Sequence, residues 1–491
     1  MTTPTPRRRA ERRGLRLWNV GLVLVLAFTA AVLTAGFVFY TGWDLLGARE
    51  LQQQPKIDSK TLFDLVKLSF GVVAGAGALV ALVVAYRRQR VDEDGALRDA
   101  TRLHTERFTT AVSQLGDDSA AVRLGGVHAL AGLADDAPTR ELRQTCVDVL
   151  CAYLRLPYAA EADLPVGDTA ARHAYLSLRE VRHTVIRLVR DHLRLSDQPH
   201  SWGGLHLDFT GVVFDGGDFS NAEFAGGTVD LSQAVFSGGR VDFTGTRFRG
   251  GTVDFTGVHV SGGTVDFTGA VFSAGVVDLT RARFSGGLTD FTGVTFSGGL
   301  TDFSKVKFAG GMVLFNEARF SGGAVDFSEA GFSGDLVSFA ESAFSSGTVR
   351  FTRAKFSGGT VDFLHAAFLG ADVDFAGTTF SAGTVSFAEA RFFGGDVAFT
   401  LARFFGGTVD FTGVQFSGGV VDFTEASFSR GRVGFTGAMF SNSTVGFTRA
   451  RLSGATVDFD RASGRCPIDL PRSRPVPGLT LPDVWRTAGS P

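Results

Sequence analysis

Three histidines in one stretch predicted to be helical, His173, His183 and His192, are the first residues whose chemistry invites a site. An imidazole ligates metals and moves protons near neutral pH. A helical metal pair needs a spacing of four, with a carboxylate in support. The spacings here are ten and nine, without that support, so these read as solvated or core histidines. Cys146, Cys151 and Cys466 cannot all pair and show no metal spacing. The first two fall on different faces of an apolar helix and read as small buried residues. Charge recurs more regularly further along. Asp230, Asp254, Asp278, Asp302 and Asp326 follow one another at a constant interval. Arg283, Lys307, Lys355, Arg403 and Arg451, with His259, fall on a second series at multiples of the same interval. Columns of like charge offer ions or partners a surface, at the cost of mutual repulsion.

What positions those columns is a ladder from Leu207 to Phe459 with a period of twelve, half the interval between the charges. One set of large apolar residues runs through Phe243, Phe255, Phe267, Leu279 and Phe291, a second through Phe236, Phe248, Val260, Phe272 and Phe284. The spacing between sets alternates five and seven. Two residues before each centre stands a small or β-branched side chain, such as Val265 before Phe267, so both face inward on a short strand. The residue between them, Asp266 or Arg283, is expected to face out. Ser-Gly-Gly follows the second set, as at Ser285-Gly286-Gly287, and supplies a corner. A short fixed period of this kind specifies a solenoid whose coils bury one another.

At Phe209, Phe214, Phe219 and Phe224, spaced by fives, the chain resembles the pentapeptide-repeat family. The resemblance implies a right-handed quadrilateral β-helix, all-β, one pentapeptide per side. The two-residue insertion in every second unit, Gly263-Thr264 for example, suggests that one coil takes two periods of the ladder, with a twelve-residue coil as the alternative. About eleven coils would measure on the order of 50 Å. Some members of the family imitate the charge of DNA and bind topoisomerases. Gly-Gly-Thr-Val-Asp-Phe differs from a calcium-binding nonapeptide in its third glycine, its Asp position and its period. At Leu369, Phe393 and Phe405 an apolar residue replaces the usual Ser, marking a candidate docking or dimerisation patch.

Before the ladder, residues 17–40 and 68–86 are uncharged and long enough to cross a bilayer as two transmembrane helices. Arginines in the 1–16 tail and at Arg87, Arg88 and Arg90, with a mixed loop over 41–67, put both termini in the cytoplasm of a plasma-membrane protein. Gly71 and Gly75 form a GxxxG packing face, read as packing within the hairpin, with dimerisation as the alternative. Residues 87–200 read as a small all-α, HEAT-like domain, 201–462 as the solenoid, and 463–491 as a Pro-rich tail or cap. A formal charge of −2 over 491 residues gives no reason to expect nucleic acid as a partner. No nucleophile elbow, phosphate loop or metal signature occurs, so neither an enzyme nor a cofactor is expected. The resulting expectation is a membrane-anchored scaffold for an unknown protein partner or a second copy. A DNA-mimicking topoisomerase regulator and an enzyme in the helical domain are the alternatives.

Overall fold

No proline interrupts residues 59–115, and Leu62, Leu65 and Val66 recur at helical spacing, so the chain runs as one helix, α1 (Ser59–Leu115). The computed structural model describes residues 59–196, 198–472 and 475–486, with scattered residues between 25 and 44. Residues 59–67, expected in the loop, are the first turns of α1, and residues 87–115 continue it without a break. Within Val66–Leu115 lies the one helix among the described residues long and apolar enough to cross a membrane, and its apolar stretch is not buried. The expected first span, residues 17–40, falls largely outside the described residues.

The chain divides into two compact units, residues 1–103 and 104–491. In the second, α2 (Ala120–Asp135), α3 (Arg140–Arg155) and α4 (Thr169–Leu193) bury Val127, Leu130, Leu150, Val185 and Val189 against one another. Caps fix the starts. Thr139 accepts from the Leu142 N–H at 3.3 Å, and Asp168 from the Ala171 N–H at 2.9 Å.

The solenoid follows. His259 pairs with Arg283 and Thr264 with Leu288, so one coil takes two periods of the ladder and the twelve-residue alternative is excluded. The first coil is two residues shorter, Leu207 pairing with Val229, where the spacing by fives begins. A coil contributes four short strands, such as Thr252–Asp254, His259–Val260, Thr264–Asp266 and Val271–Phe272, two of which run together in some coils, as in Arg283–Asp290, and the described residues form two parallel sheets of 20 and 19 strands. About eleven turns stack in this way. Two kinds of corner alternate. At Asp-Phe-Thr-x corners the Ala426 N–H donates to the Phe423 carbonyl at 3.0 Å, with Glu425 at a φ of 57°. At Ser-Gly-Gly corners Gly299 has a φ of 72°, and a Cβ there would sit 2.5 Å from the Gly275 oxygen, so no side chain fits.

Inside, rings one coil apart stack face to face, Phe303 on Phe327 at 4.7 Å for example. Rings half a coil apart meet edge to face, as Phe303 and Phe315 do at 5.7 Å and 82°. The coil thus joins two opposed columns of the first set through its centre, while the second set stacks alongside. Both ends are closed by tryptophan. Trp202 is fully buried at the first coil and stacks on His192 at 4.1 Å. At the other end Leu479–Thr480 pairs with Val457 and Asp458, and Trp485 covers Phe440 and Phe459 while donating to the Gly464 carbonyl at 2.9 Å. Residues 479–485 thus cover this end of the rod, where an open β-helix exposes unpaired strand edges.

Candidate functional site

A cluster of titratable groups lies where α4 meets the first coil. Gly217, at a φ of 148°, lets the chain pass beneath α4, where a Cβ would stand 3.0 Å from Ile186. Asp215 is buried there and accepts from the Tyr158 and Tyr175 hydroxyls at 2.5 and 2.6 Å. His183 and Arg179 stand 3.6 and 3.9 Å away. Burial pushes the Asp215 carboxyl up, but His183 and the two hydroxyls outweigh it and bring it down to about 2. Burial and the bond to Asp215 push Tyr175 up to about 12 and Tyr158 higher still. Arg182, also buried, lies over the Tyr158 ring at 4.1 Å and donates to the carbonyls of Leu154 and Val213. A carboxylate so firmly ionised and so fully engaged, among phenols held neutral, makes a joint between helices and solenoid; it is poorly suited to exchanging protons. Sequence reasoning missed this group, because its members are adjacent only after α4 docks on the coil.

The three histidines do not converge. His173 is exposed, His183 faces Asp215, and His192 is buried against Trp202 with Nε2 3.1 Å from Asp135. Among the described residues no group of three or more His, Cys, Asp or Glu is placed to hold a metal. Burial raises the Cys146 and Cys151 thiols to about 11 and about 12, so both are poor nucleophiles. Gly71 and Gly75 have open space around them.

The acidic column is in register, Asp230 beside Asp254, Asp254 beside Asp278, Asp278 beside Asp302, and Asp302 beside Asp326. Its carboxylates are not free. Asp302 Oδ1 accepts the Ser304 N–H at 2.7 Å, and Asp230, Asp254, Asp278 and Asp326 do the same two residues on. Each side chain therefore closes an Asx turn at its corner, which offsets the repulsion of stacking. Beyond Asp326 the row is broken by Arg350 and Ala398. Asp266, expected to face solvent, is buried and takes a 2.6 Å bond from Arg240.

The basic column is also in register, from His259 through Arg283 and Lys307 to Lys355, Arg403 and Arg451, with Gly331, Thr379 and Ser427 between. Its arginines and lysines are exposed, and His259 is half-buried. Leu369 and Phe393 are neighbours in one column, their N–H groups bonding to the Phe344 and Phe368 carbonyls. Phe405 is elsewhere. It follows Phe404 in the other sheet, half a coil away, so the three expected patch residues form two separate surfaces. Beside Phe405 stand exposed Leu401 and Arg430, the latter 5.2 Å from its ring.

The pentapeptide-repeat family model matches residues 209–259 in nine copies. That segment is the part of the ladder nearest the spacing by fives. Searches of curated proteins and of solved structures each found no match.

Proposed function

This chain is a pentapeptide-repeat protein, and on that premise we propose that it is a non-enzymatic, membrane-tethered scaffold whose solenoid binds other proteins. The observation that carries the reading is the contrast between inside and outside. The interior is filled by stacked rings, whereas Leu369, Phe393, Leu401 and Phe405 are about half exposed on a rod whose other outer positions are mostly polar. Exposed apolar residues of this size cost solubility and add nothing to the stack they sit on. The apolar part of α1 supports anchoring, and the arginines flanking the sequence spans support cytoplasmic termini at the plasma membrane.

The DNA-mimic reading draws less support. Its acidic row is consumed by corner turns, interrupted at Arg350, and accompanied by a basic row on the same rod. Purified protein should accordingly leave gyrase supercoiling unchanged.

The direct test compares tagged full-length protein with a form lacking residues 201–462, both recovered from membranes. Proteins enriched by the first and absent from the second are the expected result. Identical recoveries would remove the scaffold role.

A further inference from the structure

One stretch of the rod is not convex. The corner column holding Arg353, Gly377, Leu401, Glu425 and Arg449 loses its side chain at Gly377, whose φ of 65° suits glycine. The strand column beside it shrinks to Thr379 and Ser427 on either side of Arg403. The result is a groove of about 1120 Å³ with Leu401, Arg403 and Phe405 at its centre and Arg353, Arg449 and Arg451 around it. Its only acid is Glu425, already 3.3 Å from Arg449. Arg353, Arg403 and Arg451 are exposed and have no carboxylate partner among the described residues.

Two features of the groove are unexplained by folding. Where coils carry Ser at the position of Phe405, its hydroxyl bonds the carbonyl one coil below, as Ser381 does to Phe356 and Ser429 to Phe404. Phe405 gives up that bond and holds an exposed ring under Arg430. Leu401 occupies a left-handed corner at a φ of 60°, a conformation unfavourable for a leucine, and is exposed as well. Guanidinium groups without partners around exposed aliphatic and aromatic side chains match a ligand that is anionic and apolar at once.

We infer that this groove binds an acidic peptide segment of a partner protein, with an aromatic or aliphatic side chain set among its carboxylates. This deepens the scaffold reading and rests on it. From Arg353 to Arg449 is four coils, about 19 Å, the span of roughly six extended residues. Carboxylates suit the arginine rim, in bidentate pairs where geometry allows. The apolar anchor suits Leu401 and Phe405. Nucleic acid fits less well, since Glu425 opposes a continuous phosphate backbone.

The test uses full-length protein in detergent and a fluorescein-labelled octapeptide alternating Glu with Phe and Leu. Parallel arms use its Gln-for-Glu counterpart, a single-stranded oligonucleotide, and phosphatidylglycerol vesicles added to protein held in uncharged nanodiscs. Binding of the acidic peptide is expected to weaken at least about tenfold in Arg403→Glu and in Arg451→Glu, and to fade at high salt. Phe405→Ser should weaken it without altering that salt dependence, and Arg319→Glu, on the other sheet, should leave it unchanged. Unchanged far-ultraviolet dichroism and melting of the variants show that the rod is intact. The inference is overturned by absent peptide binding, by binding indifferent to Arg403→Glu and Arg451→Glu, or by tighter Arg403-dependent binding of oligonucleotide or vesicles. Partners recovered through the rod, with a groove that ignores the peptide, would refute this inference and leave the scaffold reading standing.

Discussion

The Tyr158 hydroxyl donates to Asp215 Oδ2 at 2.5 Å, tying the segment after α3 to the first coil of the solenoid. Tyr175, from α4, donates to the same oxygen at 2.6 Å. Helices and rod are thus joined by a buried carboxylate with two neutral donors and a histidine beside it. The joint covers the first coil as Trp485 covers the last.

That joint predicts an acid transition. Asp215 titrates at about 2 in the folded protein, below its ordinary value, so its stabilisation is complete above about pH 4 and fades as pH falls toward 2. The shift corresponds to about 2 kcal/mol. Asp215→Asn should lower stability at pH 7 by about that amount or more, because it loses a charge-assisted acceptor. It should also flatten the pH dependence of unfolding, followed by circular dichroism, between pH 4 and 2. An equally steep acid transition in the variant would show that Asp215 is not its source.

The corner aspartates predict a difference between two substitutions at one position. Asp302→Asn keeps an oxygen for the Ser304 N–H and should cost little. Asp302→Ala leaves that N–H without its acceptor and should cost about 1 kcal/mol. Denaturant titration of both variants decides. If Asn and Ala are equally harmful, the column acts through its charge and not through its turns.

Phe327 stacks on Phe303 and Phe351 at 4.7 and 4.9 Å and meets Phe315 and Phe339 edge-on. Phe327→Ala should cost about 3–5 kcal/mol, the range for an emptied aromatic site. Phe327→Leu should cost much less, because Leu279 already occupies an equivalent place between Phe255 and Phe303. Thermal unfolding gives the order, and similar losses for Ala and Leu would mean that ring stacking matters more than filled volume.

Trp485→Ala should loosen the end of the rod locally. Its ring covers Phe440 and Phe459, and its Nε1–H satisfies the Gly464 carbonyl. Hydrogen exchange should speed up over residues 440–464 and stay unchanged near Phe303. A uniform increase along the rod would contradict a local cap.

Much of this was legible in the sequence. Phe267 and Phe291 announce the stack through period alone, and Ser-Gly-Gly announces the corners. Once a coil takes two periods, the rows of Asp302 and Arg283 follow from spacing. The role of Asp302 does not, because a carboxylate that faces outward on a strand also reaches the N–H two residues on. Nor does the Asp215 joint, whose parts are separated by long intervals and share no period. Phe405 shares its apolar type with Leu369 and Phe393, but one period is half a coil and puts it in the other sheet. The extension of α1 across Arg87 to Leu115 was hidden by its change from apolar to charged, which alters the environment of a helix but does not end it.

The coil itself can be measured. Lys307 and Ser427 lie in one column, five coils apart through Gly331, Lys355, Thr379 and Arg403. Spin labels on Lys307→Cys and Ser427→Cys, with the native cysteines replaced, report their separation by pulsed electron resonance. A rod whose coils each take two periods predicts about 24 Å between the two backbone positions. A separation about twice as long, as twelve-residue coils would give, or a broad distribution without a defined distance, would contradict it.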